Sequence, residues 1–212
     1  MTQHNLLGRP LLEPRPTQPY QPYHIFPKAL SAAQCRRVIE FGLDLAVADA
    51  TLEGSDGSDI EDHSIRNSKI SWIPPTDDSA WIYQKVADVA QRANRSYQFE
   101  LSGFVEDLQF TRYNEPGAFY SWHQDGLDTT LGHRKLSVVI QLSDPAEYEG
   151  SELQLFEVAE DYDDEQLEAF THLAGQQGTA VVFPAYEYHR VLPLRAGCRL
   201  SLVSWISGPA FR

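Results

Sequence analysis

The sequence predicts an α+β fold, a β-sandwich or barrel covered on one face by amino-terminal helices, and three observations support this. From about residue 101 to 207 the apolar residues alternate with period two, in short runs punctuated by Gly and Pro. Before that point two stretches keep helical spacing instead. Helices gathered at one end of a series of strands cover one face of the sheet rather than interleaving with it.

The chain has 212 residues, enough for one substantial core, and 42% of them are hydrophobic, well above the composition of disordered chains. Residues 1–22 carry Pro10, Pro14, Pro16, Pro19 and Pro22 and read as an extended arm. Residues 23–212 read as a single domain, with helical support over about 23–100 and a strand core over about 101–207.

Within the helical part, Ser31 and Gln34 have capping-box spacing, and Cys35, Val38, Ile39 and Leu43 continue a helix to about Leu45. Residues 50–63, rich in Gly, Ser and Asp, read as a mobile loop. Lys69–Ile73 alternates as a strand until Pro74-Pro75 stops it, and a second helix, capped by Asp78, places Trp81, Ile82, Val86, Val89 and Ala90 on one face. Strands are expected at Val105–Tyr113, Lys135–Leu142, Glu152–Val158, Thr179–Phe183, Tyr188–Leu192 and Arg199–Ile206.

Net charge is −13, from 17 bases and 30 acids, and it is concentrated. Residues 53–62 hold five acids and residues 157–168 hold seven, with no Lys or Arg in either. Such a field opposes nucleic-acid binding, whose affinity comes from cations on phosphate; the acidic segments either flank the pocket mouth and favour a cationic small molecule or basic peptide by steering, or are solvated loops that promote solubility. No apolar run spans a bilayer and no signal peptide is visible, so a soluble cytoplasmic protein is expected. Cys35 and Cys198, the two cysteines, lack metal or redox spacing and read as small hydrophobes. The oligomeric state is not legible.

Chemistry concentrates at His123-Gln124-Asp125 and His189. Two neutral imidazoles and one carboxylate form the donor set of a non-haem Fe(II) site with open coordination positions. Residues two apart at the end of a strand direct both heads to one side, and a barrel can bring His189 opposite them. The other histidines, His4, His24, His63, His133 and His172, read as surface or loop residues. Ten residues past His189, Arg199 opens an alternating strand and could grip a co-substrate carboxylate with two parallel hydrogen bonds. Arg195 competes for that role from the Pro193–Gly197 turn.

The run Tyr113-Asn114-Glu115-Pro116-Gly117-Ala118-Phe119-Tyr120-Ser121-Trp122-His123-Gln124-Asp125, with Phe183-Pro184, His189, Arg199 and Trp205 downstream, resembles the Fe(II)- and 2-oxoglutarate-dependent dioxygenases. Within them it is similar to the prolyl 4-hydroxylase-like, or PKHD-type hydroxylase, branch. Lys135–Ser143 and Glu149-Gly150-Ser151-Glu152-Leu153 look like that family's central strand pair, although a second glycine is more usual where Ser151 stands. Ile65-Arg66-Asn67-Ser68 and Trp72 add support. The resemblance covers residues 103–207.

It implies a double-stranded β-helix, or jelly roll, with His123, Asp125 and His189 as iron ligands. It further implies Arg199, Tyr113, Ser201 and Gln141 around 2-oxoglutarate, and Tyr120, Trp122 and Trp205 as walls of the substrate pocket, the two tryptophans reading equally as core aromatics. The cofactors implied are Fe(2+), 2-oxoglutarate and O2, with ascorbate as reductant. The reaction implied is hydroxylation of an unactivated C–H bond of peptidyl proline, a free amino acid or another small molecule, with release of succinate and CO2. Retention of Asp125 argues for hydroxylation over halogenation. The rivals are a cupin-type metal dioxygenase, which gives no reason for Arg199, a catalytically inactive jelly-roll binding module, and a nucleic-acid demethylase, which the charge disfavours.

Overall fold

The computed structural model describes residues 20–50, 52–53, 59–60, 64–127 and 131–210. The amino-terminal half supplies β1 (His24–Phe26), α1 (Ala32–Leu43), β2 (Ala48–Asp49), β3 (Leu52–Glu53), β4 (Asp59–Ile60), β5 (Arg66–Asn67), β6 (Lys69–Ile73) and α2 (Ala80–Tyr97). Next come β7 (Leu108–Tyr113), β8 (Phe119–His123), β9 (Arg134–Gln141), β10 (Tyr148–Gly150) and β11 (Leu153–Leu155). The chain ends with α3 (Phe156–Asp161), α4 (Asp164–Ala174), β12 (Ala180–Pro184), β13 (His189–Val191), β14 (Leu194–Gly197) and β15 (Arg199–Ser207).

A seven-stranded sheet in the order β1-β12-β9-β15-β7-β6-β2 faces a four-stranded sheet in the order β11-β13-β8-β5. The strands of both pair antiparallel, which gives the jelly roll, with α1 and α2 on the outer face of the larger sheet. The large sheet is buried on both sides, and period two sorts its residues. Leu136, Val138 and Ile140 of β9, Leu108 and Phe110 of β7, and Leu202 and Ile206 of β15 pack with Val38, Ile82, Val86 and Val89 of the helices. α1 lies so close to the sheet that a Cβ on Gly42 would run into the Phe110 ring. The opposite residues of the same strands face the smaller sheet, where Val139, Leu153, Leu155, Val181, Phe183 and Val191 form a second cluster.

Several elements match expectation. The Ser31–Gln34 capping box starts α1, and β6 runs over the predicted Lys69–Ile73. Others differ. The second helix is capped not by Asp78 but by Ser79, whose hydroxyl is held in a tight turn by Pro74 and Thr76. The strand expected over Glu152–Val158 ends at Leu155 and turns into α3, because Leu155 and Val158 are both buried at a spacing of three, which a strand cannot satisfy. α4 was not anticipated, although Asp163 and Gln166 form a capping box and Phe170 and Ala174 keep helical spacing. His24, read as loop, lies on β1 with its ring edge-on to Tyr97. Ser151 adopts a left-handed φ of 58°, the conformation in which glycine is the easier residue. The arm of residues 1–19 and most of the 50–63 loop lie outside the described residues. Both cysteines are free. No described helix is long and apolar enough to cross a membrane.

Candidate metal and co-substrate site

β8 and β13 build the site by pairing His123 directly against His189. The next pair is Val191 with Tyr120, so β8 spends three residues where β13 spends two. This bulge turns Tyr120 and His123 to the same side of the sheet, against strict alternation. Both line the cavity, and their rings stack at 3.4 Å. Trp122, expected as a pocket wall, is turned away by the same bulge. It packs edge-on against Phe156 at 5.6 Å, with the Arg190 guanidinium over its face.

Asp125 sits in the turn after β8, where its N–H and that of Gly126 both donate to the carbonyl of Ala185. The donor atoms of His123, Asp125 and His189 all lie within 4.8 Å of one another. The Nε2 atoms of His123 and His189 stand 3.5 and 3.4 Å from the two Asp125 oxygens. Each imidazole turns its other nitrogen to a backbone carbonyl two residues upstream: His123 Nδ1 to Ser121 at 2.8 Å, and His189 Nδ1 to Glu187 at 3.0 Å. With the proton on Nδ1, both Nε2 lone pairs are free for a cation. Ser137 Oγ, on the inward face of β9, donates to Asp125 Oδ2 at 2.6 Å.

The electrostatics suit a cation. Burial alone would raise the Asp125 pKa, but His189, His123 and Arg134 more than offset it and hold the carboxyl well below its ordinary range. Burial, with His123 close by, pushes His189 down to about 4, so it is a neutral donor at physiological pH. The residues therefore fit a divalent metal with two imidazoles, one carboxylate and open positions.

The triad opens into a cavity of about 470 Å³. Arg199 lies on its wall, 4% exposed, opposite Tyr113 on the neighbouring strand and with no carboxylate within ion-pair distance among the described residues. Its Nε donates to Gln141 Oε1 at 3.0 Å, so Gln141 fixes the guanidinium without lining the cavity itself. Ser201, Tyr113, Tyr120 and Trp205 line it too. Burial raises the Tyr113 pKa, with Arg66 and Arg199 pulling the other way, and the phenol stays a hydrogen-bond donor. Arg195, the alternative clamp, is exposed beside Glu152 at 3.5 Å and does not line this cavity.

The sequence gives no site role to Ser137 or to the Arg134–Glu106 pair, whose partners are remote in sequence, and Arg66 enters there only as support for the resemblance. Inward alternation on β9 was the one signal that singled out Ser137. Arg134 lies over Trp205 at 3.7 Å and is bonded to Glu106 at 2.8 Å. No residue of the acidic segment 157–168 lines the cavity; that segment forms α3 and α4.

The sequence profile of the 2OG-Fe(II) oxygenase superfamily matches residues 108–207, from the start of β7 to the end of β15. Over that stretch the chain is similar to this superfamily. A PKHD-type hydroxylase of Synechococcus sp. (strain CC9902) is 34% identical over 108 residues, 51% of this chain and 44% of the relative. Another, of Synechococcus sp. (strain CC9311), is 26% identical over 189 residues, 86% of this chain and 77% of that protein. In the first of these alignments this chain spans less than half the relative's length. Among solved structures, a Pseudomonas putida prolyl-4-hydroxylase is similar with a TM-score of 0.59 at 25% identity, covering 88% of this chain and 92% of the other. A Trichoplax adhaerens prolyl hydroxylase bound to a hypoxia inducible factor peptide shares the fold, with a TM-score of 0.69 at 17% identity over 88% of this chain and 83% of the other.

Proposed function

We propose that the protein is an Fe(II)- and 2-oxoglutarate-dependent hydroxylase, in which His123, Asp125 and His189 hold the metal and Arg199 anchors the co-substrate. The observation that carries this reading is a convergent triad opening on the same cavity as a buried guanidinium that, among the described residues, lacks a carboxylate partner. Iron with 2-oxoglutarate and O2 supplies the oxidising power to hydroxylate a C–H bond, with succinate and CO2 as co-products.

The chain's own residues bind and orient. Arg199 and the Tyr113 hydroxyl receive the distal carboxylate of 2-oxoglutarate, Ser201 assists from the same strand face, and Gln141 keeps the guanidinium aimed. Ser137 keeps the Asp125 carboxylate oriented. Val139, Leu153 and Val191 form an apolar wall that keeps water from the reacting centre. Tyr120 and Trp205 shape the substrate end.

For the substrate we propose a peptide or small molecule, peptidyl proline and free amino acids being the first to try. The named activity of the Pseudomonas putida relative and the peptide held by the Trichoplax adhaerens one support this. Ascorbate is the proposed reductant, and the unpaired cysteines suit a reducing, cytoplasmic setting. We take residues 23–212 as one catalytic domain preceded by an arm over 1–22. The test is succinate formation from 2-oxoglutarate by purified protein with Fe(II) and ascorbate, screened over proline-containing peptides, amino acids and a cell extract. Turnover, coupled or uncoupled, is expected; neither iron binding nor any turnover would defeat the reading.

A further inference from the structure

The cavity is lined by three guanidiniums and two carboxylates among the described residues: Arg66, Arg134 and Arg199 against Glu106 and Asp125. Arg134 is answered by Glu106. A divalent cation and 2-oxoglutarate bring equal and opposite charge, and on the functional reading above Arg199 takes one end of that dianion. With both in place these groups still carry one positive charge, and among the described residues the one left without a counter-charge is Arg66.

Arg66 is only 7% exposed. It lies on β5 opposite Tyr120, with its guanidinium carbon 4.6 Å from the Tyr120 ring centre. Its hydrogen bond among the described residues runs from Nε to Ser68 Oγ at 3.0 Å, so both terminal nitrogens are left for the cavity. Stacking on the phenol and the Ser68 bond fix the plane of the fork, which suits a planar carboxylate. A guanidinium withdrawn from water with no anion costs several kcal/mol, a cost that an anionic ligand would offset. The ring that carries it, Tyr120, also stacks on His123, so a group held by Arg66 lies one residue from the metal.

We propose that Arg66 binds a carboxylate of the molecule to be oxidised, so that the enzyme takes an acidic small molecule or acidic peptide. The overall charge of −13 points to a basic partner, but that field is spread over surface segments, whereas the cavity's own charge acts at contact distance.

The proposal rests on the reading of the triad as a metal site and is tested apart from turnover. The full chain is loaded with Mn(II) and N-oxalylglycine, a stable stand-in for 2-oxoglutarate. Manganese-induced proton relaxation is then read on N-acetyl-L-proline, N-acetylglycine and acetate, and on N-acetyl-L-prolinamide as an uncharged match. The acids are expected to bind about tenfold or more tighter than the amide, the scale of one charge-assisted bond. Arg66→Gln should abolish the difference and Arg66→Lys should keep most of it, with N-oxalylglycine affinity unchanged in both. Equal binding of acid and amide by the wild type, no relaxation of any acid, or an acid preference that survives Arg66→Gln would overturn the proposal. Loss of N-oxalylglycine binding in Arg66→Gln would overturn it too, by giving Arg66 to the co-substrate. A wild type that binds neither Mn(II) nor N-oxalylglycine would bring down the functional reading itself, and this inference with it.

Discussion

The two faces of the seven-stranded sheet are made by the same strands yet obey different rules. Towards the helices β9 presents Leu136, Val138 and Ile140, and β7 presents Leu108 and Phe110, all apolar and fully or almost fully buried. Towards the cavity the intervening positions hold Ser137, Val139 and Gln141, and Gln109, Thr111 and Tyr113, buried as deeply but polar at five of six places. Burial is therefore not what separates structure from chemistry in this molecule. One face removes apolar area from water, and the other keeps polar groups dry and oriented at a cost in stability.

If that division holds, substitutions at the helix face and at the cavity should fail in different assays. The largest expected effect on chemistry is from Asp125→Ala: turnover should fall roughly a thousandfold or more, since the metal's several kcal/mol of assistance is lost. The melting temperature of the metal-free variant should stay near that of metal-free wild type; a collapse there would make Asp125 a structural residue. Phe110→Ala, on the helix face, should cost about 3–5 kcal/mol of stability in urea titration. Its turnover per folded molecule, measured well below the melting point, should be unchanged, and a lower value would blur the two faces.

Arg199→Ala should raise the 2-oxoglutarate requirement roughly a hundredfold while metal affinity holds, as truncating a buried charge partner costs 2–5 kcal/mol. If Arg195→Ala does this instead, the clamp moves to the turn. Ser137→Ala removes a single bond to Asp125 and should weaken metal binding about tenfold, read by competition with a chelator, with little change in urea stability. The smallest effect concerns pH in the metal-free protein. His189 is lowered from 6.5 to about 4, so the unfolded chain takes up its proton first and stability should fall as pH drops from about 6.5 towards 4. In melting curves His189→Gln should flatten that decline; an unchanged slope would assign it to other groups.

How much of this the sequence disclosed depends on how local each signal is. β6, α1 and the start of β15 rest on patterns within ten residues, and each was readable. His123 and His189 were readable because their chemical type is rare and their flanking residues resemble a known family. α3 and α4 were hidden by seven acids that masked Val158 and Phe170 at helical spacing. The turning away of Trp122 could not be read, because the β8 bulge shows only when the strand is paired with β13. Arg66 and Ser137 acquire meaning only from neighbours brought in by the sheets: Tyr120, which β5 pairs with Arg66, and Asp125, twelve residues from Ser137 across β8–β9.

The single carbonyl of Ala185 accepts from both Asp125 and Gly126, while His123 and His189 face each other across β8 and β13. Donors from segments more than sixty residues apart are thereby clasped into one local folding unit. An ion held by that unit can leave by a slow route, in which the short ladder parts and all three donors disperse together. Its residence time would then report the opening frequency of β8 and β13, and slow amide exchange at Asp125 and Gly126 should track slow metal exchange.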